Sequence, residues 1–236
     1  MRWSVLICLA FLAGCVSTTE STSPSDPQPT RAAPKAPGKP SSAQVTRFRQ
    51  VVARVEPVAE RYCRSNSGGL NCDFNIVIDD RPNQPANAFQ TLDRNGRPII
   101  AFTLALIADA NNTDELAFIL SHEAAHHIRN HIPRQRENAN AGAILLGGLA
   151  TLAGAGSSTV ESAARVGATV GARSYSKNFE LEADSTGTVI AKRAGYDPVR
   201  GAQYFNRIAD PGDQFLGTHP PNAQRIEIVK KTAAQL

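Results

Sequence analysis

His122 and His126 stand four positions apart with Glu123 directly after the first, in the run His122-Glu123-Ala124-Ala125-His126. On an α-helix, residues four apart lie about 40° round the axis and about 6 Å along it. Both imidazoles can therefore reach one metal ion. Glu123 lies about 100° round from His122, beside such an ion without having to ligate it. A carboxylate there can take a proton from a metal-activated water and pass it to a leaving amine. Residues 116–128 are apolar on nearly every side. Unpaired histidines are costly in a buried helix, which favours a ligand role.

A third ligand must come from elsewhere in the chain, and Glu180, Glu182 and Asp184 are the candidates. With residues 179–194 plotted as a helix, Ala183, Gly187, Ile190, Ala191 and Ala194 fall within about 80° of Glu180. Asp184 shares that face at about 40°, while Glu182 points about 160° away, toward solvent. Glu180 is then the third ligand. Asp184, one turn on, is placed to accept a hydrogen bond from the far nitrogen of a ligating imidazole. Gly187 lets this face approach another helix closely. Two histidines and one glutamate leave a fourth position open, the arrangement of a catalytic rather than a structural zinc site. The expected cofactor is one Zn²⁺ per chain. His219, before Pro220-Pro221, can stabilise a developing oxyanion or occupy the open zinc position. A plain surface-loop histidine fits its spacing equally well.

These residues need a scaffold to hold them. Val45, Phe48, Val51, Val52, Val55 and Ala59 recur at helical spacing, with Pro57 placed to bend or break that helix. Residues 73–80 read as a strand. Residues 87–92 and 97–102 flank Asp93-Arg94-Asn95-Gly96, a strong hairpin signal. Thr113, followed by Asp114 and Glu115, opens a helix that Pro133 closes. Gly195 ends the ligand helix, Asp197-Pro198 opens another, and the last begins at Asn222. The fold class is α+β: a mainly helical domain over residues 43–236, with a small three- to four-stranded sheet.

Residues 139–171 are rich in Gly and Ala, with Ile144, Leu145, Leu146, Leu149 and Leu152 among them. They read either as a membrane-touching helical hairpin or as a close-packed helix pair against the core. The longest uncharged apolar segment falls short of about 20 residues and is interrupted by glycine, which favours packing.

The N-terminus reads as an address. Arg2 precedes an apolar run from Val5 to Ala13 that is too short to span a bilayer. Cys15 directly follows Leu12-Ala13-Gly14, which resembles the bacterial lipobox. The resemblance implies a signal peptide at 1–14, lipid on Cys15, and a membrane anchor. Val16 rather than Asp after that cysteine suggests the outer membrane. Residues 15–42 form a Pro- and Ser-rich tether, with prolines at 24, 27, 29, 34, 37 and 40. In an exported chain Cys63 and Cys72 form a disulfide by default. The alternative, zinc binding through two thiolates, lacks a close-spaced ligand pair.

Apolar residues at 42% and charged residues at 19% exclude wholesale disorder. No repeat of 20 to 50 residues is present, which excludes solenoids and propellers. The net charge of +4, with no block of five like charges, gives nucleic-acid binding little footing.

Five pieces stand in one order between residues 87 and 226. They are Asn87-Ala88-Phe89; Asp114-Glu115-Leu116 leading to Ser121-His122-Glu123-Ala124-Ala125-His126; Phe179-Glu180-Leu181-Glu182-Ala183-Asp184; Gly195-Tyr196-Asp197-Pro198; and Thr218-His219-Pro220-Pro221 with Arg225-Ile226. Together they resemble the HtpX and CaaX-prenyl-protease-type gluzincin metallopeptidases, in the periplasmic branch of BepA- and LoiP-type peptidase domains. The resemblance implies zinc on His122, His126 and Glu180, and Glu123 as general base. It also implies a role for His219 in regulation or transition-state binding. One departure is Ser176-Lys177, where relatives carry Ser-Arg; a lysine cannot reproduce a bidentate arginine contact. Neither clear spanning helices of the HtpX kind nor a long helical-repeat region of the BepA kind is read in this sequence.

The expected protein is a lipid-anchored, periplasm-facing zinc endopeptidase of the outer membrane. Its substrates, by resemblance, are misfolded or misassembled envelope proteins, bound in extended form along the sheet edge near residues 87–102. The outer-membrane assembly machinery is a partner by the same resemblance. A rival reading is a chaperone-like or scaffold lipoprotein that keeps the zinc fold and rarely cleaves. The intact Glu123 argues against a dead enzyme.

Overall fold

Helix α1 (Ser42–Asn66) starts from a capping box, in which the Ser41 hydroxyl accepts the Gln44 backbone N–H and the Gln44 side chain accepts the Ser41 N–H. The structure is a computed structural model that describes residues 38–174, 176–210 and 219–236. The expected signal peptide, Cys15 and most of the expected tether lie outside the described residues. Phe48, Val51, Val55, Ala59 and Cys63 form the buried stripe of α1. Pro57 lies inside the helix and does not break it. It and Ala53, whose carbonyl loses its partner, both lie on the exposed face, where water replaces the missing bond. Cys63 and Cys72 are joined by a disulfide that ties the end of α1 to the approach to the first strand.

Strands β1 (Asn75–Asp79), β2 (Ala88–Leu92) and β3 (Pro98–Thr103) form one sheet in the order β1-β3-β2. β1 runs parallel to β3 and β2 antiparallel to it, so β2 is an edge. The β2–β3 turn uses Gly96 at φ 78°, and the Asp93 carboxylate accepts the backbone N–H groups of Asn95 and Arg97.

Short helix α2 (Leu104–Asp109) leads to α3 (Thr113–Ile128), which is buried on almost all sides. Asn112, rather than Thr113, is its N-cap, accepting the Glu115 N–H. The helix ends at Ile128 and not at Pro133. Asn130 takes a left-handed conformation, φ 57° and ψ 38°, and α4 (His131–Leu152) begins directly after it. Pro133 falls in the first turn of α4, where its missing N–H would have had no helical partner.

α4 and α5 (Ser157–Ser174) make a helical hairpin. Gly142 packs backbone-to-backbone on Gly167, and Gly171 on Asn138, so an added methyl at any of these glycines would collide with main chain. The pair packs on itself rather than against the core, which corrects the favoured expectation for residues 139–171. Ile144, Leu145, Leu149 and Leu152 recur at i, i+1, i+5 and i+8 and stay exposed, Leu152 at 87%. Among the described residues no helix is long and apolar enough to cross a membrane.

α6 (Ser176–Arg193) returns to the core and lies against α3. Gly187 permits that approach: a Cβ there would stand 2.9 Å from the His122 nitrogen and 3.0 Å from its Cα. Gly195, at φ 83°, ends the segment. Asp197 then caps α7 (Pro198–Gly201) by accepting the Val199 and Arg200 N–H groups. A 3₁₀ turn (Ala202–Asn206) and α8 (Asn222–Ala233) complete the order.

Candidate metal centre

The burial of α3 and its close approach to α6 bring three side chains to one point. His122 Nε2 lies 3.0 Å from His126 Nε2. Glu180 places Oε2 3.5 Å from the first and Oε1 3.4 Å from the second. Tetrahedral zinc with N and O bonds of about 2.0–2.1 Å separates its ligand atoms by about 3.3 Å. The triangle therefore has the size of a zinc site, and its donor set of two imidazoles and one carboxylate suits that ion.

Asp184 is fully buried one turn beyond Glu180, with Oδ1 2.9 Å from His122 Nδ1. It is held in turn by Arg225, whose Nε and terminal nitrogen donate to its two oxygens at 2.7 and 2.8 Å. The same guanidinium lies 3.3 Å from Glu180 Oε2 and 4.0 Å from the centre of the Phe205 ring. Burial alone would raise the Asp184 carboxyl, but Arg225 and His122 hold it below the usual carboxylate range. Burial disfavours charge on His122, yet Asp184 and Glu180 more than offset it and push its imidazole up to about 10. His126 goes the other way, to about 3, through burial first and its neighbour His122 second. With His122 neutral, as a ligand must be, Glu180, Asp184 and Glu123 against Arg225 leave two negative charges when all four are ionised, which a divalent cation neutralises.

Glu123 is beside the triangle and not part of it. Burial, above all, raises its carboxyl to about 7, with His122 and a hydrogen bond from the Gln90 backbone pulling it back. A carboxyl poised there can both accept and donate a proton near neutral pH. It lines a cleft of about 670 Å³. Residues Ala86–Gln90, including edge strand β2, form one border of the cleft, and Phe118, Phe179, Tyr204 and Phe205 give it apolar walls. His219 reaches in from the loop before α8, its Nδ1 3.2 Å from Glu180 Oε2, with the side chain 52% exposed.

The structure thus brings His122, Glu123, His126, Glu180, Asp184 and His219 together. His127 turns the other way and bonds the Asn71 carbonyl at 2.7 Å. The wheel reading of Glu182 as a solvent-facing residue needs correction. It is half-buried, 2.9 Å from Arg134 and 3.2 Å from His131, both in the first turn of α4.

Two further residues join the site without a role read from the sequence. Arg225 stands in the motif that ends in Arg225-Ile226, and with Asn222, Val229 and Thr232 it forms the buried face of α8, where an arginine needs a partner. His131 carries no signal at helical spacing, because it lies beyond the Asn130 break.

The family model of peptidase family M48 matches residues 46–233. A putative beta-barrel assembly-enhancing protease of Vibrio cholerae is 30% identical over 76% of this chain and 40% of its own length. The beta-barrel assembly-enhancing protease of Escherichia coli K12 is 27% identical over 73% of this chain and 37% of its own length. The mitochondrial metalloendopeptidase OMA1 of Saccharomyces cerevisiae is 28% identical over 69% and 47%. The chain spans less than half the length of these relatives.

Proposed function

This chain belongs to peptidase family M48, and from that premise we propose that it is a zinc endopeptidase of the bacterial envelope. The observation that carries the reading is the triangle of His122, His126 and Glu180 at zinc spacing, with Glu123 beside it in an open cleft. The three residues hold the ion. Zinc bound there supplies Lewis acidity, which makes a water acidic and polarises a carbonyl.

The remaining steps belong to the chain's own groups. Glu123 takes the proton from the attacking water and returns it to the leaving amine, a task its place beside the three ligands in the cleft suits. The free edge of β2 receives the substrate as an added strand, its main chain laid across the cleft. Arg225 and Asp184 keep His122 turned toward the ion. His219 sits on the Glu180 carboxylate at the mouth of the cleft, where it restrains that carboxylate and limits access to the site.

The sequence Leu12-Ala13-Gly14-Cys15 supports lipid on Cys15, with residues 1–14 removed and the domain held at the outer membrane facing the periplasm. The names of the bacterial relatives support envelope proteins as substrates and the outer-membrane assembly machinery as a partner.

Metal analysis of the purified chain tests the site. The wild type should carry about one zinc per chain, and His122→Ala, His126→Ala and Glu180→Ala should each carry almost none. A wild type that binds no zinc sinks the assignment. Zinc without cleavage of any unfolded envelope protein, with binding that survives Glu123→Gln, favours the scaffold reading.

A further inference from the structure

His131 lies five residues beyond His126. Were α3 to continue unbroken, position 131 would point about 140° away from His126. The left-handed turn at Asn130 redirects the chain instead, and as the first residue of α4 His131 comes back against His126. Its ring is buried, with only 4% exposed, and its Nδ1 lies 2.9 Å from His126 Nδ1. On its far side Nε2 is 3.2 Å from Glu182 Oε2, and Arg134 donates to that same oxygen at 2.9 Å. The ring stacks on Phe179 at 4.6 Å and 13°, and the Arg134 guanidinium lies 4.4 Å from the centre of that phenyl.

We propose that His131 is a positioning residue for His126, fixing its tautomer and ring orientation toward the metal through a relay that ends on Glu182 and Arg134. This rests on the zinc reading of the site. Two facing Nδ1 atoms at hydrogen-bond distance share one proton. His126 presents Nε2 to the His122 and Glu180 ligand atoms, and a ligating nitrogen carries no proton. Neutral His126 therefore holds its proton on Nδ1 and donates it to His131 Nδ1. His131 then holds its own proton on Nε2 and donates it to Glu182. Every ring nitrogen has a partner while both rings stay neutral. The two histidine ligands are thus oriented by different groups: His122 by a carboxylate directly, His126 by a neutral imidazole with the carboxylate one step further out.

Zinc alone, titrated into the metal-free full chain against a chelator, tests the relay. His131→Phe keeps the ring volume and the stack on Phe179 but has no acceptor. His131→Asn restores an acceptor near the Nδ1 position and gives up the stack. Loss of such an outer partner weakens metal binding about 10- to 100-fold. His131→Phe should show that loss with the melting temperature of the metal-free chain unchanged, and His131→Asn should recover most of it. Zinc affinity within about twofold of wild type in His131→Phe overturns the proposal. So does an equal loss in both variants that follows a fall in melting temperature, since that is a packing role. If His131→Phe does not fold, Glu182→Met, which leaves His131 Nε2 without an acceptor, decides: weaker zinc binding supports the relay, and unchanged binding overturns it. A wild-type chain that takes up no zinc refutes the metal reading itself, a result distinct from any of these.

Discussion

His122 and Asp184 meet at 2.9 Å, Nδ1 to Oδ1, and that contact determines which nitrogen of His122 faces the cleft. Asp184 can do this because Arg225 occupies both of its oxygens and compensates its charge in a fully buried position. Asp184→Asn replaces an ionised acceptor by an amide that must choose which end to present. It should weaken zinc binding about 10- to 100-fold. It should also destabilise the fold, because buried Arg225 loses its closest counter-charge and keeps only Glu180 at 3.3 Å. Chelator competition and thermal denaturation read the two effects separately. Unchanged zinc affinity would show that Asp184 serves only to hold Arg225.

The helix approach at Gly187 is a second point of leverage. A methyl group there meets backbone atoms of His122 at 2.9 and 3.0 Å, and backbone cannot move aside as a flexible side chain can. Gly187→Ala should therefore push α6 off α3, at a cost of about 1–3 kcal/mol. It should also loosen Glu180 from the two histidines. A melting temperature lower by several degrees, together with weaker zinc binding, is the expected outcome. An unaltered melting curve would mean that the helices separate freely.

The stability of the metal-free chain should have a broad maximum between about pH 4.5 and 6.5. Glu123, raised to about 7, contributes stability that is full below 4.5 and is lost as pH rises toward 7, against the gain from His126. His122, with its imidazole raised to about 10 against 6.5 for a free one, contributes stability that is full below 6.5 and is lost as pH rises toward 10. His126, lowered to about 3, contributes in the opposite sense: full above 6.5 and lost as pH falls toward 3. Burial lowers His127 and His131 as well, and both add to the acid-side loss. Zinc requires a neutral His122, so at pH 8 its binding should release about one proton. Calorimetric titration in two buffers of different ionisation enthalpy counts that proton. No dependence on the buffer would contradict the charge assigned to His122.

His219 touches Glu180 with a half-exposed side chain, so removing its ring need not disturb the core. His219→Ala should cleave an unfolded protein faster than wild type, with zinc content unchanged. Slower cleavage would move His219 from a plug to a group that assists the reaction.

Much of this site was legible from spacing, for a physical reason. The four-residue step of His122 and His126, and the shared face of Glu180, Asp184 and Gly187, are properties of single helices, and helical geometry is fixed before any packing. The Asp93–Gly96 turn was readable on the same local grounds. The failures all involve a second element. Glu182 departs from the helical wheel because a wheel does not show His131 and Arg134, in the first turn of α4, beside it. His131 has no helical spacing to His126 because Asn130 breaks the register. Pro133 does not stop a helix, because a first helical turn accepts proline as readily as a terminus does. The α4–α5 pair was expected against the core because its glycines promise close packing; they deliver it, but only between the two helices.

The central claim is that Glu123 moves the proton in a reaction at the site formed by His122, His126 and Glu180. The most direct measurement is cleavage of an unfolded envelope protein by the zinc-loaded chain and by Glu123→Gln, with metal content determined on the same samples. Both should hold about one zinc per chain, and the substitution should lower cleavage by at least about 100-fold. Equal cleavage by the two at equal zinc content would contradict the account.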